Sequence, residues 1–295
     1  MKAWLLATIF IAPLNAEDEH FWQNLWDEKA PGAEPLPLGS EVIEEGLRIS
    51  EVEQPQYLLL RPEKPNGQGI VILAGGGYSK VSLQKEGIDV GDWLNERGIT
   101  ALVLKYRVSR SDEAGYHYPV PLLDARQGIR LLRKRSTELE INPNRIGVIG
   151  FSAGGHLAGM TAILADEEEL EISATPNFAA LIYPVISMRD DWAHQGSRKR
   201  LLGPKPPEGL ADQLSLHLHV NEKTPPLFLV HSADDAVVPL RNSAELMAAC
   251  AENKVPVRAA IYPTGGHGFG PKGRGAAKDW LQELEKWLHS HPTES

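Results

Sequence analysis

The sequence predicts an α/β fold, with a mostly parallel central sheet and helices on both of its faces. Short, continuous apolar segments such as residues 70–73 recur along the chain, as strands buried on both faces require. Between them lie amphipathic segments of helical length, such as residues 119–135. Strands that alternate with helices form parallel β-α-β units, and the 295 residues are enough to bury a sizeable core. We expect one domain over residues 17–295.

The N-terminus has the composition of a secretory signal. Lys2 precedes an apolar segment over residues 3–13, and Ala16 is a small residue followed directly by the acidic residues 17–19. That order of charge, apolar segment and small residue is typical of a signal peptide, here residues 1–16. The apolar segment is much shorter than the ~20 residues that a membrane-spanning helix needs. We therefore predict a secreted or periplasmic protein that has no membrane contact after signal cleavage.

The order of the remaining elements follows from periodicity and from turn residues. Residues 47–61 alternate loosely and carry β-favouring residues, which indicates one or two early strands in antiparallel pairing. Further strands are predicted at residues 70–73, 100–108, 145–150, 178–185, 227–231 and 257–262, and helices at residues 90–97, 119–135, 153–164, 243–253 and 276–288. Residues 187–226 contain Trp192 and several prolines and are too long for a simple connection. We expect this segment to form a lid-like insertion.

The helix over residues 119–135 has the clearest pattern. Leu122, Ile129 and Leu132 share one face, and basic residues cluster near the C-terminal end, where the helix dipole favours cations. Gly98 ends the preceding helix in the way that glycine commonly does. These features support the alternation of strands and helices.

The motif G-x-S-x-G at residues 150–154 lies where a predicted strand is followed by a predicted helix. Ser152 then occupies a sharp turn, and the flanking glycines let the strand and the helix approach without a Cβ clash. The amide of Ala153, at the helix N-terminus, is free to bind an oxyanion. This motif predicts a nucleophilic serine.

A serine hydroxyl needs a base, and the base needs a third group that orients it. His267 lies among glycines after the strand at residues 257–262, and Asp234 and Asp235 follow the strand at residues 227–231. The chain order Ser, Asp, His is the order expected for such a turn on a doubly wound sheet. Each residue falls at the C-terminal end of a strand, where these sheets place their sites. The spacing leaves the choice between the two aspartates open.

Other histidines are weaker candidates for the base. His156 falls one turn into the helix after the serine and is expected to pack or to lie on the surface. His217 and His219 have the spacing of a metal pair, but no carboxylate or cysteine at ligand spacing accompanies them, so we predict no metal. His117 and His194 lie on loops and are candidates to line the pocket.

Three consecutive glycines, residues 75–77, follow the strand at residues 70–73. Adjacent glycines let backbone N–H groups approach a ligand closely, so we predict an oxyanion hole formed by the amides of Gly76, Gly77 and Ala153. The spacing of a phosphate-binding loop, Gly-x-x-x-x-Gly-Lys-Ser/Thr, is absent here, and so is the dinucleotide fingerprint. We expect no cofactor.

The composition argues against several classes of partner. Acidic residues exceed basic ones by 39 to 30, and no Lys/Arg stripe offsets the net charge of −9, so nucleic-acid binding is disfavoured. The same charge mildly repels anionic substrates, although a local site can override it. Cys250 is the sole cysteine, which excludes an internal disulfide framework and a multi-cysteine metal site.

These motifs resemble those of α/β hydrolases of the small carboxylesterase type. More narrowly, they are similar to the secreted acetylxylan-esterase-like branch related to bacterial feruloyl and acetyl esterases. The resemblance extends from about residue 69 to the C-terminus and is carried by residues 75–78, 118–125, 145–156, 182–188, 231–239 and 265–269. In such relatives the carboxylate occupies the first position of an Asp-x-x-Val-Pro pattern, which here selects Asp235. Ala74 departs from the pattern, because relatives more often carry proline or histidine there.

The resemblance implies an α/β-hydrolase fold and a triad of Ser152, His267 and Asp235. It further implies hydrolysis, through an acyl-enzyme, of small acyl and chiefly acetyl esters of plant polysaccharide or oligosaccharide, such as acetylated xylan. Two other classes remain open at this stage. A serine peptidase of the prolyl-oligopeptidase type uses the same catalytic groups, but the residues before 69 are too few for its propeller domain. A catalytically silent hydrolase-fold binding protein is the other. Tyr78, Trp192 and His194 are candidates for the pocket rim.

Overall fold

A computed structural model describes residues 21–32, 41–109, 115–166, 171–189 and 191–290. The predicted signal peptide, residues 1–16, lies outside these residues. Within the described ranges, no helix combines the length and the apolar character that crossing a bilayer requires.

Eleven strands in the described residues form two sheets. In chain order they are β1 (Gln23–Asn24), β2 (Val42–Glu44), β3 (Arg48–Ser50), β4 (Gln56–Leu60), β5 (Gly69–Leu73), β6 (Lys80–Ser82), β7 (Thr100–Lys105), β8 (Ile146–Phe151), β9 (Phe178–Ile182), β10 (Leu227–Ser232) and β11 (Val257–Tyr262). The main sheet has the order β1-β4-β7-β5-β8-β9-β10-β11. Its strands from β7 to β11 run parallel, whereas β4 is antiparallel to β7 and β1 is antiparallel to β4. The predicted mostly parallel sheet is therefore confirmed.

Helices connect the parallel strands. They are α1 (Asp89–Asn95), α2 (Val120–Lys134), α3 (Ala153–Ile163), α4 (Gln195–Leu202), α5 (Leu210–Gln213), α6 (Arg241–Glu252) and α7 (Trp280–Ser290). A π-helical turn, Gln84–Ile88, leads directly into α1. Two short 3₁₀ turns, Leu216–Leu218 and Gly275–Asp279, precede β10 and α7.

The centre of the main sheet is buried at every position, which explains its continuous apolar strands. All residues of β5, β7, β8, β9 and β10 are buried, whereas the edge strand β11 is only partly covered. Helix α3 is buried all round, so its neighbours must approach closely. A Cβ at Gly159 would lie 2.4 Å from Leu216 Cδ1, and one at Gly155 would lie 2.9 Å from Pro184 Cβ. The small residues of α3 thus hold the helix that follows the G-x-S-x-G turn against its surroundings.

A small antiparallel sheet lies beside the glycine loop. The hairpin of β2 and β3 pairs with β6, with Ile43 opposite Ile49 and Ile49 opposite Val81. The early strands predicted at residues 47–61 therefore separate into β3 and β4, which belong to different sheets. The chain bends between them, where Glu51 adopts a positive φ of 54°.

The insertion at residues 187–226 is more regular than the sequence predicts. It contains α4, α5 and a 3₁₀ turn, and apolar side chains from these elements are buried, including Leu201, Leu214 and Leu216. Each helix is short and the prolines between them interrupt any periodicity, so the sequence pattern does not reveal them. Cys250 is a free, buried thiol on α6, and burial raises its pKa to about 11.

A buried ion pair joins β7, α2 and the N-terminal segment. Asp124 accepts hydrogen bonds from Arg107 Nε at 2.9 Å and Nη2 at 2.8 Å, and from the Arg107 amide at 3.0 Å. Trp26 Nε1 donates to the same carboxylate at 2.9 Å. Both charged side chains are almost completely removed from solvent. Removing one charge would leave the other buried without compensation.

We therefore expect Asp124→Asn to lower the free energy of unfolding by about 3–5 kcal/mol, as breaking a buried pair does. Urea unfolding followed by circular dichroism measures the change. Glu138→Gln is the matched control, because its ion pair with Arg135 lies near the surface and its loss costs about 1 kcal/mol or less. Equal shifts of the urea midpoint for the two variants would contradict the assignment.

Candidate active site

Ser152 lies at the turn between β8 and α3, as the sequence predicts. Its backbone has φ 54° and ψ −117°, an uncommon conformation for a residue other than glycine. A Cβ at Gly150 would lie 2.1 Å from the Gly154 carbonyl oxygen, and a Cβ at Gly154 would lie 2.1 Å from the Leu73 carbonyl oxygen. Glycine is therefore required at both positions, and the close approach that it permits projects Ser152 from the turn.

The three side chains that the sequence predicts as a catalytic triad lie each within hydrogen-bond distance of the next, in the order Ser, His, Asp. Ser152 Oγ lies 2.9 Å from His267 Nε2, and His267 Nδ1 lies 2.7 Å from Asp235 Oδ2. With its proton on Nδ1, the imidazole donates to the carboxylate and accepts from the serine hydroxyl. The other carboxylate oxygen accepts from the amides of Val237 and Val238, both at 2.9 Å. The carboxylate is thereby fixed on both sides.

The two adjacent aspartates have different surroundings. Asp234 accepts from the amide of Gly266 at 2.7 Å and so fixes the loop that carries His267. Burial alone would raise the pKa of Asp235, but hydrogen bonds from His231 and His267 outweigh it and hold the pKa well below its usual range. Asp235 therefore stays ionised and keeps its charge beside the imidazole.

The predicted oxyanion donors lie in the cleft that Ser152 lines or directly beside the serine in the chain. Gly76 and Gly77 line the same cleft as Ser152, and among the described residues neither of their amides has a backbone acceptor. A Cβ at Gly76 would lie 2.0 Å from the Lys80 carbonyl oxygen, so the loop admits only glycine there. Ala153 is the first residue of α3, and its N–H therefore has no acceptor within the helix.

A buried carboxylate that the sequence analysis missed joins the two loops of the site. Glu86 accepts from the amide of Gly75 at 2.8 Å and from the hydroxyl of Tyr183 at 2.8 Å. That hydroxyl accepts in turn from the amide of Gly270 at 3.2 Å. The ring of Tyr183 lies 4.9 Å from the imidazole of His267, centroid to centroid. Glu86 and Tyr183 thus support the glycine loop and the histidine loop together.

The hydroxyl of Tyr183 stays protonated and can therefore donate to Glu86. Burial raises the pKa of Tyr183 well above its ordinary value, and the charge of Glu86 raises it further. No sequence pattern indicates Glu86, because residues 84–88 form a π-helical turn, whose spacing fits neither a strand nor an α-helix. The one local feature in the sequence that points to this turn is Gly87. A Cβ there would lie 2.8 Å from Val103 Cγ1, so the turn packs closely against the main sheet.

Two further histidines are structural. His156 accepts at Nδ1 from the Tyr78 hydroxyl at 2.9 Å and donates from Nε2 to the Leu214 carbonyl oxygen at 2.8 Å. Complete burial lowers its pKa to about 4, so it is neutral at pH 7. His231 has its ring nitrogens 2.8 Å from Ser243 Oγ and 2.9 Å from the Val238 carbonyl oxygen, and its Nε2 also lies 3.4 Å from Asp235 Oδ2, behind the triad.

The cleft around Ser152 has a volume of about 730 Å³. One wall is the β2–β3 hairpin with β6, and another is the start and end of α4, from which His194 and Arg200 face the cleft. Of the rim candidates, His194 lines the cleft, whereas Tyr78 is completely buried. Trp192 packs against His217, with 5.6 Å between ring centroids. The insertion thus contributes to the cleft, as the sequence predicts.

His217 and His219, the two histidines with the spacing of a metal pair, contact other protein groups. Nε2 of His219 lies 2.9 Å from the Asp212 carbonyl oxygen, and His217 packs on the indole of Trp192. In the part of the chain that the structure describes, no three His, Cys, Asp or Glu side chains are grouped so that they could hold a metal ion.

Solved structures identify the class of protein. A crystal structure of an acetyl ester-xyloside bifunctional hydrolase from Caldicellulosiruptor lactoaceticus matches with a TM-score of 0.79 at 37% identity, over 92% of this chain and 96% of that one. An esterase from Thermogutta terrifontis matches with a TM-score of 0.67 at 24% identity, over 82% and 91% of the two chains. The fold is that of the α/β hydrolases.

The family follows from sequence comparison. The BD-FAE family model matches residues 58–250, so the chain belongs to this family of α/β-hydrolase esterases. An acetylxylan esterase from Xylanibacter ruminicola is 35% identical over 251 residues, 83% of this chain. Endo-1,4-beta-xylanase B from Butyrivibrio fibrisolvens is 31% identical over 206 residues, 68% of this chain. The chain spans 50% of the length of the first relative and 32% of the second.

His156 makes the stability of the protein depend on pH. Its pKa is about 4 when folded against an ordinary 6.5, so the unfolded chain binds a proton that the folded chain excludes between these values. The stabilisation is present above pH 6.5 and is lost as the pH falls towards 4, by about 3 kcal/mol in all. We expect the free energy of unfolding of His156→Gln to change less with pH between 4 and 6.5. Neutral glutamine does not titrate, and it can still accept from Tyr78 and donate to Leu214.

Urea unfolding at a series of pH values between 4 and 7 measures the effect as a difference from the unmodified protein. His289→Gln on α7 is the control, because that histidine is exposed and should leave the curve unchanged. Identical pH dependence in His156→Gln and in the unmodified protein would show that the buried imidazole is not responsible.

Proposed function

We propose that the protein is a serine carboxylic-ester hydrolase that removes small acyl groups, chiefly acetyl, from plant polysaccharide or its oligosaccharides, such as acetylated xylan. The observation that carries the proposal is the row of contacts from Ser152 through His267 to Asp235, with 2.9 Å and 2.7 Å between successive side chains. The acetyl ester as substrate is supported by the similarity to an acetylxylan esterase and to an acetyl ester-xyloside hydrolase.

In the first half of the proposed reaction, Ser152 Oγ attacks the ester carbonyl carbon while His267 Nε2 takes its proton. The ionised Asp235 holds the Nδ1 proton and stabilises the imidazolium that forms. The carbonyl oxygen becomes negative and accepts from the amides of Gly76, Gly77 and Ala153. The carbon–oxygen bond to the alcohol then breaks, and the alcohol leaves with the proton held on Nε2.

In the second half, a water molecule attacks the acyl-serine. His267 takes a proton from the water, and the same amides receive the oxyanion again. The bond between the acyl carbon and Ser152 Oγ breaks, the serine regains a proton from the imidazolium, and the carboxylic acid is released. Apart from the ester and the water, every group in this reaction belongs to the chain itself, and the proposal includes no metal or organic cofactor.

Export fits a polymeric substrate, which cannot enter the cell. Cleavage after Ala16 and a single catalytic domain over residues 17–295 remain predictions of the sequence. Determining the N-terminal residue of the protein recovered from the culture medium or periplasm tests both the cleavage and the location.

Ser152→Ala tests the nucleophile. We expect kcat for an acetyl ester to fall at least about 10⁴-fold, because loss of the nucleophile leaves only the contribution of the remaining groups. A fluorophosphonate probe should label the unmodified protein and not the variant. Acetate release from acetylated xylan, compared with hydrolysis of a dipeptide amide, separates the esterase from a peptidase. Undiminished acetate release by folded Ser152→Ala would refute the proposal.

Asp235→Asn tests the carboxylate, with Asp234→Asn as the matched control. Asparagine at position 235 favours the wrong tautomer of His267, so we expect kcat to fall by about 10³- to 10⁴-fold. Asparagine at position 234 can still accept from the Gly266 amide, and we expect a loss below about tenfold. The two variants differ by one position in sequence and remove the same charge. Equal losses of kcat would show that local charge, not the contact with His267, matters.

A further inference from the structure

The cleft contains more cations than the acidic chain as a whole suggests. Its charged lining consists of Arg48, Lys80, Lys85 and Arg200 with Glu44, Glu45 and Glu86. Lys80 Nζ pairs with Glu44 at 2.9 Å, and Lys85 Nζ donates to the Gly268 carbonyl oxygen. Arg200 differs from Lys80, because among the described residues no carboxylate lies within ion-pair distance of it, and it differs from both lysines in having a buried nitrogen, Nε, without a hydrogen-bond partner there.

Arg200 is held firmly while its guanidinium remains largely unsatisfied. Its carbonyl oxygen accepts from Ser109 Oγ at 2.8 Å and lies 2.6 Å from His117 Nδ1. Its Nη1 donates to the Gly196 carbonyl oxygen at 3.2 Å. Its Nε is buried and has no hydrogen-bond partner in the described part of the chain. A guanidinium has five N–H donors, and a half-buried one with so few acceptors favours an anionic ligand.

The guanidinium also lies next to the reacting groups. Its Nη1 is 3.9 Å from the point where a Cβ on Gly77 would lie, and Gly77 is one of the proposed oxyanion donors. His194 approaches the same point, with its Cε1 at 3.8 Å. Burial, together with the neighbouring imidazole of His267 and guanidinium of Arg200, lowers the pKa of His194, so this imidazole adds no second positive charge there at neutral pH. Arg200 and Ser152 therefore line one cleft, within which a single ester substrate would meet both.

We propose that Arg200 forms a subsite for a carboxylate carried by the ester substrate. It follows that the cleft favours acetylated saccharides that bear a uronic acid over neutral ones. This inference rests on the proposed esterase function and names the substrate class within it. The planar fork of arginine matches a carboxylate in two parallel hydrogen bonds.

The net charge of −9 does not oppose this preference strongly. Charges on the outer surface are screened over about 8 Å at physiological salt, whereas a partly buried pair is screened much less. The attraction at Arg200 therefore acts at contact distance, and the repulsion by the rest of the chain is mostly lost in the salt.

The test compares two acetyl esters that differ in one charge: 3-acetoxybenzoate and its neutral amide, 3-acetoxybenzamide. We expect the ratio of their kcat/KM values, anion over neutral, to fall about 10- to 100-fold in Arg200→Gln, since a hydrogen-bonded charge pair is lost. The change should lie in KM for the anion. Arg200→Lys should restore part of the ratio, because it keeps the charge but not the fork.

Lys199→Gln is the matched control. Lys199 precedes Arg200 on α4, is exposed, and loses the same charge on substitution. It should leave the ratio unchanged. Acetylated xylo-oligosaccharides with and without a glucuronic acid branch, assayed for acetate release, should follow the two aryl esters.

The possible results separate the subsite from the enzyme activity. An unchanged ratio in Arg200→Gln overturns the carboxylate subsite, even if both rates fall together, since Arg200 would then act on the reaction or on the loop. An equal fall in Lys199→Gln also overturns it, because the effect would be one of general charge. If the unmodified protein hydrolyses neither ester, the esterase function itself fails. Fluorophosphonate labelling of Ser152 in Arg200→Gln shows that the variant is folded.

Discussion

The whole site depends on the close contact between α3 and the carboxyl ends of the neighbouring strands. Two glycines make this contact possible, because a side chain at Gly150 or Gly154 would overlap with backbone oxygen atoms. The turn between them carries Ser152 in a strained conformation, and strain of this kind persists only when the surroundings over-determine it. Burial of α3 on all sides supplies that constraint. The serine is consequently presented in one fixed direction, towards His267.

Buried charges around the site are each compensated by several donors. Asp235 receives two backbone amides as well as His267, and Glu86 receives an amide and a hydroxyl. For Asp235, the hydrogen bonds to its charged form hold the pKa well below the usual range. Arg200 is the contrasting case, since its guanidinium has a single side-chain hydrogen bond among the described residues. Asp235 and Glu86 thus have their hydrogen bonds within the protein, whereas the guanidinium of Arg200 has donors left for the proposed ligand.

Some of this arrangement could be predicted from the sequence and some could not. The predictable features depend on local sequence, whereas the others depend on contacts between distant residues or on very short elements. Ser152 and the glycine loop directly follow β8 and β5, and His267 lies on the loop after β11, so local turn chemistry and the rule that sites lie at carboxyl ends of parallel strands predict them. Glu86 meets Tyr183 across 97 positions of the chain, and no local pattern encodes such a contact. The strands of the small sheet have three residues each, too few to show alternation. The helices of the insertion are also short, so the sequence of residues 187–226 has no helical periodicity of apolar residues.

The small sheet also links the wall of the cleft to the glycine loop. β6 follows that loop directly, and the amide of Ser82 donates to the Gly75 carbonyl oxygen at 3.0 Å. On its other side β6 pairs with β3 of the hairpin, with Arg48 opposite Ser82. The hairpin wall of the cleft and the glycine loop beside the nucleophile therefore belong to one hydrogen-bonded unit. A displacement of the hairpin that widened or narrowed the cleft would therefore be transmitted through β6 to the peptide groups beside the nucleophile, which couples the shape of the cleft to the geometry of the glycine loop.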